Sequence, residues 1–234
     1  MMAGAAKRSW WYRVKRMLLF LFIFQLVYIV LLRWIDPPVT ITQLTAWVSG
    51  DGLRRDYVRA DQIAPYARLA VLASEDQLFV SHSGFDWKRI EQALEYNKRK
   101  PNRLRGGSTI SQQTAKNVFL WQGRSWIRKG LEVYFTFMIE LIWGKKRILQ
   151  VYLNVIEMGP GIFGIEAAAR HYFNKPASQL ARYEAALIAA SLPNPKRYRV
   201  KPASSYMQRR ASFIVGQMRH LFYDKEVRQL IENR

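Results

Sequence analysis

One stretch of the chain is so uniformly apolar that no periodicity can be read in it. Met17 to Leu32 is hydrocarbon apart from Gln25, and Trp34 and Ile35 extend the run past Arg33. An α-helix rises about 1.5 Å per residue and needs roughly 20 residues to cross the hydrocarbon core of a bilayer. Counted from Trp10 or Trp11 to Trp34, the stretch is long enough and has aromatic residues at both ends, as interfacial belts require. Lys7, Arg8, Arg13, Lys15 and Arg16 precede it without an acidic residue, which places the N-terminus in the cytoplasm and the rest of the chain outside. A cleaved signal peptide would end in small residues, whereas this run ends Leu31-Leu32-Arg33-Trp34. The pattern therefore predicts a basic tail over residues 1–16 and an uncleaved anchor over 17–35. A juxtamembrane linker, opened by the helix-stopping Asp36-Pro37-Pro38, follows over 36–59, and a single domain over 60–234.

In that domain the spacing of apolar residues is mostly helical, and the expected fold class is mainly α. Only Pro38 to Val48 has strand character. Asp61 is a candidate N-cap for a helix with apolar Ile63, Tyr66, Leu69, Ala70 and Ala73, ending near Glu75-Asp76. Trp87 to Tyr96 reads as a second helix, and a basic segment rich in turn formers follows, Asn97 to Gly107. Ser108 or Thr109 caps a third helix, to about Phe119. Ile127 to Asn154 reads as a long and largely helical stretch, apolar enough between Val133 and Trp143 to be buried on most sides. Further helices are expected over Ile165–Phe173, Ser178–Ser191 and Ser204–Tyr223, the last after Pro193, Pro195 and Pro202.

Charge narrows the picture. With 37 basic and 17 acidic residues the formal charge is +20, which calls for an anionic partner: nucleic acid, acidic lipid or a phosphorylated substrate. The absence of cysteine excludes disulfides and thiolate metal sites. The basic residues are not spread evenly. Between Glu95 and Glu132 lie 36 residues without a carboxylate, among them Lys98, Arg99, Lys100, Arg103, Arg105, Lys116, Arg124, Arg128 and Lys129. Seventeen acids scattered at random rarely leave such a gap. It reads as a cradle for a multiply charged anion.

Three groups of residues around that gap can carry chemistry. Glu75-Asp76-x-x-Phe79-x-x-His82-x-Gly84 puts two carboxylates at a helix C-terminus, where the dipole disfavours negative charge and can raise a pKa towards the range useful to a general base. Arg105-Gly106-Gly107-Ser108-Thr109-Ile110-Ser111-Gln112-Gln113 opens a helix on whose face Thr109, Gln113, Lys116 and Asn117 fall together, a row of polar groups suited to sugar hydroxyls and phosphate oxygens. Arg128 and Glu132 are i, i+4 neighbours, so the guanidinium can hold the carboxylate ionised. Taken singly, each group also fits a plain surface: a capping pair, a solvated helix face, a salt bridge.

Together, and in this order, they resemble the motifs of the peptidoglycan glycosyltransferases, and within that family the monofunctional biosynthetic branch. The likeness continues through Tyr152-Leu153-Asn154, Gly159-Pro160-Gly161-Ile162-Phe163-Gly164, Tyr172-Phe173 and Leu192-Pro193-Asn194-Pro195, spanning roughly residues 60 to 202. The resemblance implies a lysozyme-like α fold and polymerisation of glycan strands from lipid II. It implies Glu75 as general base and Glu132 as the second essential carboxylate. It further implies substrate contacts from Asp76, Phe79, His82, Gly107, Ser108, Thr109, Gln112, Gln113, Lys116, Asn117, Arg124, Arg128, Lys129 and Asn154. No obligatory cofactor and no metal ligands are expected, with Mg2+ or Mn2+ allowed for as stimulants. The expected partners are lipid II, the nascent glycan and the bacterial cytoplasmic membrane, with other cell-wall synthesis or division proteins as further candidates and no nucleic acid. Val118-Phe119-Leu120-Trp121 fits either a dip into the lipid headgroups or core packing.

Other readings fit less well. A lytic or lysozyme-like hydrolase would share the fold and the glutamate but has no use for a carboxylate-free cationic tract. A tethered protein binding nucleic acid by charge alone leaves the polar helix face unexplained and lies on the wrong side of the membrane. A bifunctional enzyme with transpeptidase activity would need a Ser-x-x-Lys nucleophile, and no serine here has lysine at that spacing.

Overall fold

A computed structural model describes residues 3–100, 106–123 and 125–232. The chain divides after Asp36 into two compact units. The first is a single helix, α1 (Ala3–Leu31), with a turn over residues 32–34. Its segment Trp10–Leu31, with a mean hydropathy of 2.1, is long and apolar enough to cross a membrane. The helix runs on through the basic tail without a break and stops before Arg33, a few residues earlier than the apolar pattern predicts.

The second unit is an α-helical body with one small sheet. Pro38 to Val48, expected as strand, instead contains α2 (Ile41–Val48), started by a reciprocal capping box between Thr40 and Gln43. Two side-chain bonds that satisfy helix-end donors outweigh the weak strand preference of β-branched residues here. α2 is inverted relative to a soluble helix: Thr42, Gln43 and Ala46 are buried, while Ile41, Leu44, Trp47 and Val48 face outward. A short β1 (Arg54–Arg55) follows.

The core is built on α3 (Pro65–Glu75), buried from Ala67 through Ala73. Pro65 at its first turn, not Asp61, starts it; Asp61 lies in the preceding 3-10 turn. Then come α4 (Trp87–Arg99) and α5 (Ile110–Phe119). The long helical stretch expected over 127–154 is two helices, α6 (Trp126–Ile142) and α7 (Lys145–Val155). They part at Gly144, whose φ of +75° suits a residue without a Cβ. β2 (Glu157–Gly159) and β3 (Ile162–Phe163) complete a three-stranded sheet in the order β1-β3-β2, with Arg54 opposite Ile162. α8 (Ile165–Phe173) matches its expected span residue for residue. A 3-10 turn over Ala177–Gln179 precedes α9 (Arg182–Ser191), so Ser178 is no cap. α10 (Ser205–Phe222) is capped by Ser204, and α11 (Lys225–Ile231) is an added short helix.

Packing separates two regions. α3, α9 and α10 pack on one another, and α5 is enclosed by α2, α6 and α7. α6 is not buried on most sides, as its sequence led us to expect. Its buried residues are Glu132, Thr136 and Ile139, while Trp126, Phe137 and Leu141 are 92%, 59% and 70% exposed. Of the segment Val118–Trp121, Val118 and Leu120 are core, Phe119 stacks on Phe135 at 4.6 Å, and Trp121 alone is exposed.

Candidate active site

Glu75 is the last residue of α3 and half-buried. Its Oε2 accepts from Gln113 Nε2 at 3.0 Å and its Oε1 from Ser74 Oγ at 3.3 Å. Both donors are neutral, so the carboxylate is oriented without being neutralised. Arg89 donates to the Glu75 carbonyl rather than to its side chain. The amide of Gln113 is itself set by Tyr152, whose hydroxyl donates to Gln113 Oε1 at 3.2 Å. Tyr152 is wholly buried, and burial, with the nearby Glu75 and Asp76, raises its pKa well above that of an ordinary tyrosine. It therefore stays protonated and keeps the Gln113 NH2 turned to Glu75. Sequence reasoning placed Tyr152 in a motif and gave it no role, because a tyrosine on an apolar helix looks like core.

Asp76 follows the last turn of α3 and is 1% exposed. Its carboxylate accepts from the Ile110 backbone N–H at 2.9 Å and from His82 Nε2 at 3.0 and 3.1 Å. Thr109 and Gln112 form the capping box of α5, and Thr109 Oγ1 also donates to the Gly84 carbonyl at 2.6 Å. Asn154 brackets the Val58 peptide, accepting from its N–H and donating to its carbonyl. Phe79 is core. Asp76, Phe79, Thr109, Gln112 and Asn154 are thus buried, the polar ones with their bonds made inside the protein. Their hydrogen bonds tie α3, α5 and α7 to the segments around the site. Gly107 sits where a Cβ would lie 3.2 Å from Ile90 Cα, so glycine lets the approach to α5 pass close over α4. Ser108 is half-buried beside it. Arg124 lies outside the described residues.

One turn beyond Gln113, α5 carries Lys116, half-buried. Burial lowers its pKa first; the neighbouring Glu132 works against that, and Arg128 and Lys129 add to it. Glu132, 3% exposed on the inner face of α6, accepts from Arg128 at 2.8 Å and from Lys129 at 2.5 Å. Three cations therefore share one carboxylate. Arg128 Nε is buried with no hydrogen-bond partner among the described residues. Asn117, buried, donates to the Gln113 carbonyl at 2.8 Å and connects through Gln122 to Thr42 on α2. Among the described residues no group of three or more His, Asp or Glu could hold a metal ion.

α5 thus presents two chemically different places one turn apart: a carboxylate held by neutral donors, and a cluster of cations around a second carboxylate. Residues 42–219 match the model of the transglycosylase family, and the chain belongs to that family. It is similar to the biosynthetic peptidoglycan transglycosylase of Yersinia pseudotuberculosis serotype O:3 (strain YPIII), 53% identical over 218 residues that make up 90% of each chain. It is also similar to that of Shewanella oneidensis, 49% identical over 94% of this chain and 95% of the relative. A protein of the same name from Yersinia pestis (strain Pestoides F) is 52% identical over 218 residues.

Proposed function

We propose that this chain is a peptidoglycan glycosyltransferase that extends glycan strands at the outer face of the bacterial cytoplasmic membrane. The donor is the growing glycan on undecaprenyl pyrophosphate and the acceptor is lipid II. Glu75 takes the proton of the acceptor 4-hydroxyl as its oxygen attacks the anomeric carbon of the donor. The anomeric C–O bond to the diphosphate breaks, and the diphosphate leaves with the electron pair. One displacement inverts the configuration and needs one base, with no covalent nucleophile. Because the diphosphate is already a good leaving group, fixed positive charge at its oxygens replaces a general acid. Lys116, Arg128 and Lys129 supply that charge, with Arg124 on the acceptor side. His82, Gly107, Ser108, Gln113 and Asn117 hold or shape the binding surface.

The observation that carries this reading is the surplus of cations around Glu132, which reaches Lys116, one turn along α5 from the Gln113 that holds Glu75. Glu132 neutralises one of three charges, so a net positive charge is left to meet an anionic oxygen. A hydrolase acting on a neutral glycosidic bond gains nothing from such a surplus. The outward apolar residues of α2 and α6 suit a domain that works against a bilayer, as a lipid-linked substrate demands. The N-terminus is cytoplasmic and the domain periplasmic on this reading, and no transpeptidase activity accompanies transfer. No cofactor is assigned; Mg2+ or Mn2+ would act on the diphosphate, which a chelator titration tests.

Polymerisation of labelled lipid II by the detergent-solubilised full chain is the test. The expected result is glycan chains from the wild type, and at least about 100-fold less from Glu75→Gln, the low end of what a lost general base costs. A wild type that leaves lipid II untouched but degrades finished glycan would replace synthesis with hydrolysis.

A further inference from the structure

Behind the reacting carboxylate lies a second charged pair that the chemistry above does not use. Lys145, the first residue of α7, donates to Glu140 Oε1 at 2.7 Å and to the His82 carbonyl at 2.6 Å. Its ammonium also lies 4.6 Å from the centre of the Phe79 ring. Glu140 Oε1 accepts in addition from Ser111 Oγ at 2.5 Å. The two side chains are 22% and 11% exposed. An ion pair withdrawn from water that far contributes little net stability, so its value lies in what it holds.

What it holds is one peptide group. The Gly84 N–H donates to His82 Nδ1 at 3.1 Å, which leaves the ring proton on Nε2, aimed at Asp76. Asp76 in turn receives the first N–H of α5 and follows Glu75 directly in the chain. A shift of the His82 carbonyl therefore moves the imidazole, then Asp76, then the end of α3 on which Glu75 sits. Phe79, packed under the Lys145 ammonium, closes the same turn from inside.

We propose that Lys145, held by Glu140, is a positioning residue for glycosyl transfer, gripping the His82 turn that fixes Asp76 and with it Glu75. The proposal rests on Glu75 being the base. The test uses the full chain in detergent with lipid II, comparing Lys145→Met, Lys145→Arg and the double variant Lys145→Met with Glu140→Gln. The single methionine variant leaves Glu140 buried without its cation, and the double variant removes that fault while still releasing the His82 carbonyl. The double variant should recover the melting temperature yet keep a kcat about 10- to 100-fold below wild type, the scale of a small misplacement, with KM within about threefold. Amide exchange over residues 80–86 should quicken at least about tenfold in it, with α9 unchanged. Lys145→Arg, which keeps the cation, should regain most of the lost kcat, and it decides the matter if the methionine variants fail to fold. A double variant at wild-type kcat, a loss confined to KM, a Lys145→Arg no better than methionine, or unchanged exchange over 80–86 would each overturn the proposal. Glu75→Gln run beside these separates the failures: if it stays active the base assignment has failed, and if it is dead while the Lys145 variants are intact only the positioning role has.

Discussion

The two glutamates that flank α5 are held in opposite ways. Glu75 is half-buried and touched by two neutral donors, Gln113 and Ser74. Glu132 is almost wholly buried and clamped by two cations at 2.8 and 2.5 Å. A carboxylate that must accept a proton needs orientation but not neutralisation. A carboxylate that must arrange cations needs the reverse. On the proposed reading the same side chain serves two purposes, and the partners supplied by neighbouring helices decide which.

The contrast can be broken from either end. Glu75→Gln should remove at least about 100-fold of the rate while the melting temperature stays near that of wild type, because no ion pair is broken. Glu132→Gln should lower both. Unpairing Arg128 and Lys129 is expected to cost about 1–3 kcal/mol in denaturant unfolding, moderated because Lys129 is 43% exposed and its charge is screened. If Glu75→Gln proves the more destabilising, the assignment of roles is reversed.

A smaller effect should appear in the pH profile. Burial lowers the Lys116 pKa below the ordinary 10.5. Its charge is present below that lowered pKa and lost as pH rises through it, so diphosphate binding should weaken on an alkaline limb lying below 10.5. The stability linkage has the opposite sign: burying charged Lys116 costs stability, and the cost is relieved as pH rises through the same range. Lys116→Arg, which stays charged beyond pH 12, should move the limb upward; an unmoved limb assigns it to another group. Smallest of all, Thr109→Ala removes the cap of α5 and its bond to the Gly84 carbonyl. It should cost about 1 kcal/mol in denaturant unfolding.

Where the sequence was informative, the signal was local. Ser108 or Thr109 marks the start of α5, Thr109 being the cap, and the apolar period ends α3 at Glu75, as observed. The convergence of Gln113, Lys116, Arg128, Lys129 and Glu132 was also legible, because helical spacing puts residues of one helix on one face. Which face looks where was not legible. α6 reads as buried from its composition, yet its polar Glu132 and Thr136 point inward and its Trp126 and Phe137 outward. Residues 38–48 look like strand because Val39, Thr40 and Ile41 are β-branched, and only the reciprocal bonds of Thr40 and Gln43 show the helix. Motif membership likewise does not separate a residue that lines a cleft from one that braces it. Asp76 and Asn154 stand in the motifs as prominently as Gln113 does, but their hydrogen bonds are spent inside the protein.

The inverted helices α2 and α6 bear on how the protein can be handled. Trp47, Val48, Trp126, Phe137 and Leu141 remain exposed on the second unit, outside the apolar span of α1. Cutting the chain after Asp36 removes the span but none of these side chains. The shortened protein should still bind detergent micelles and clump when diluted out of them.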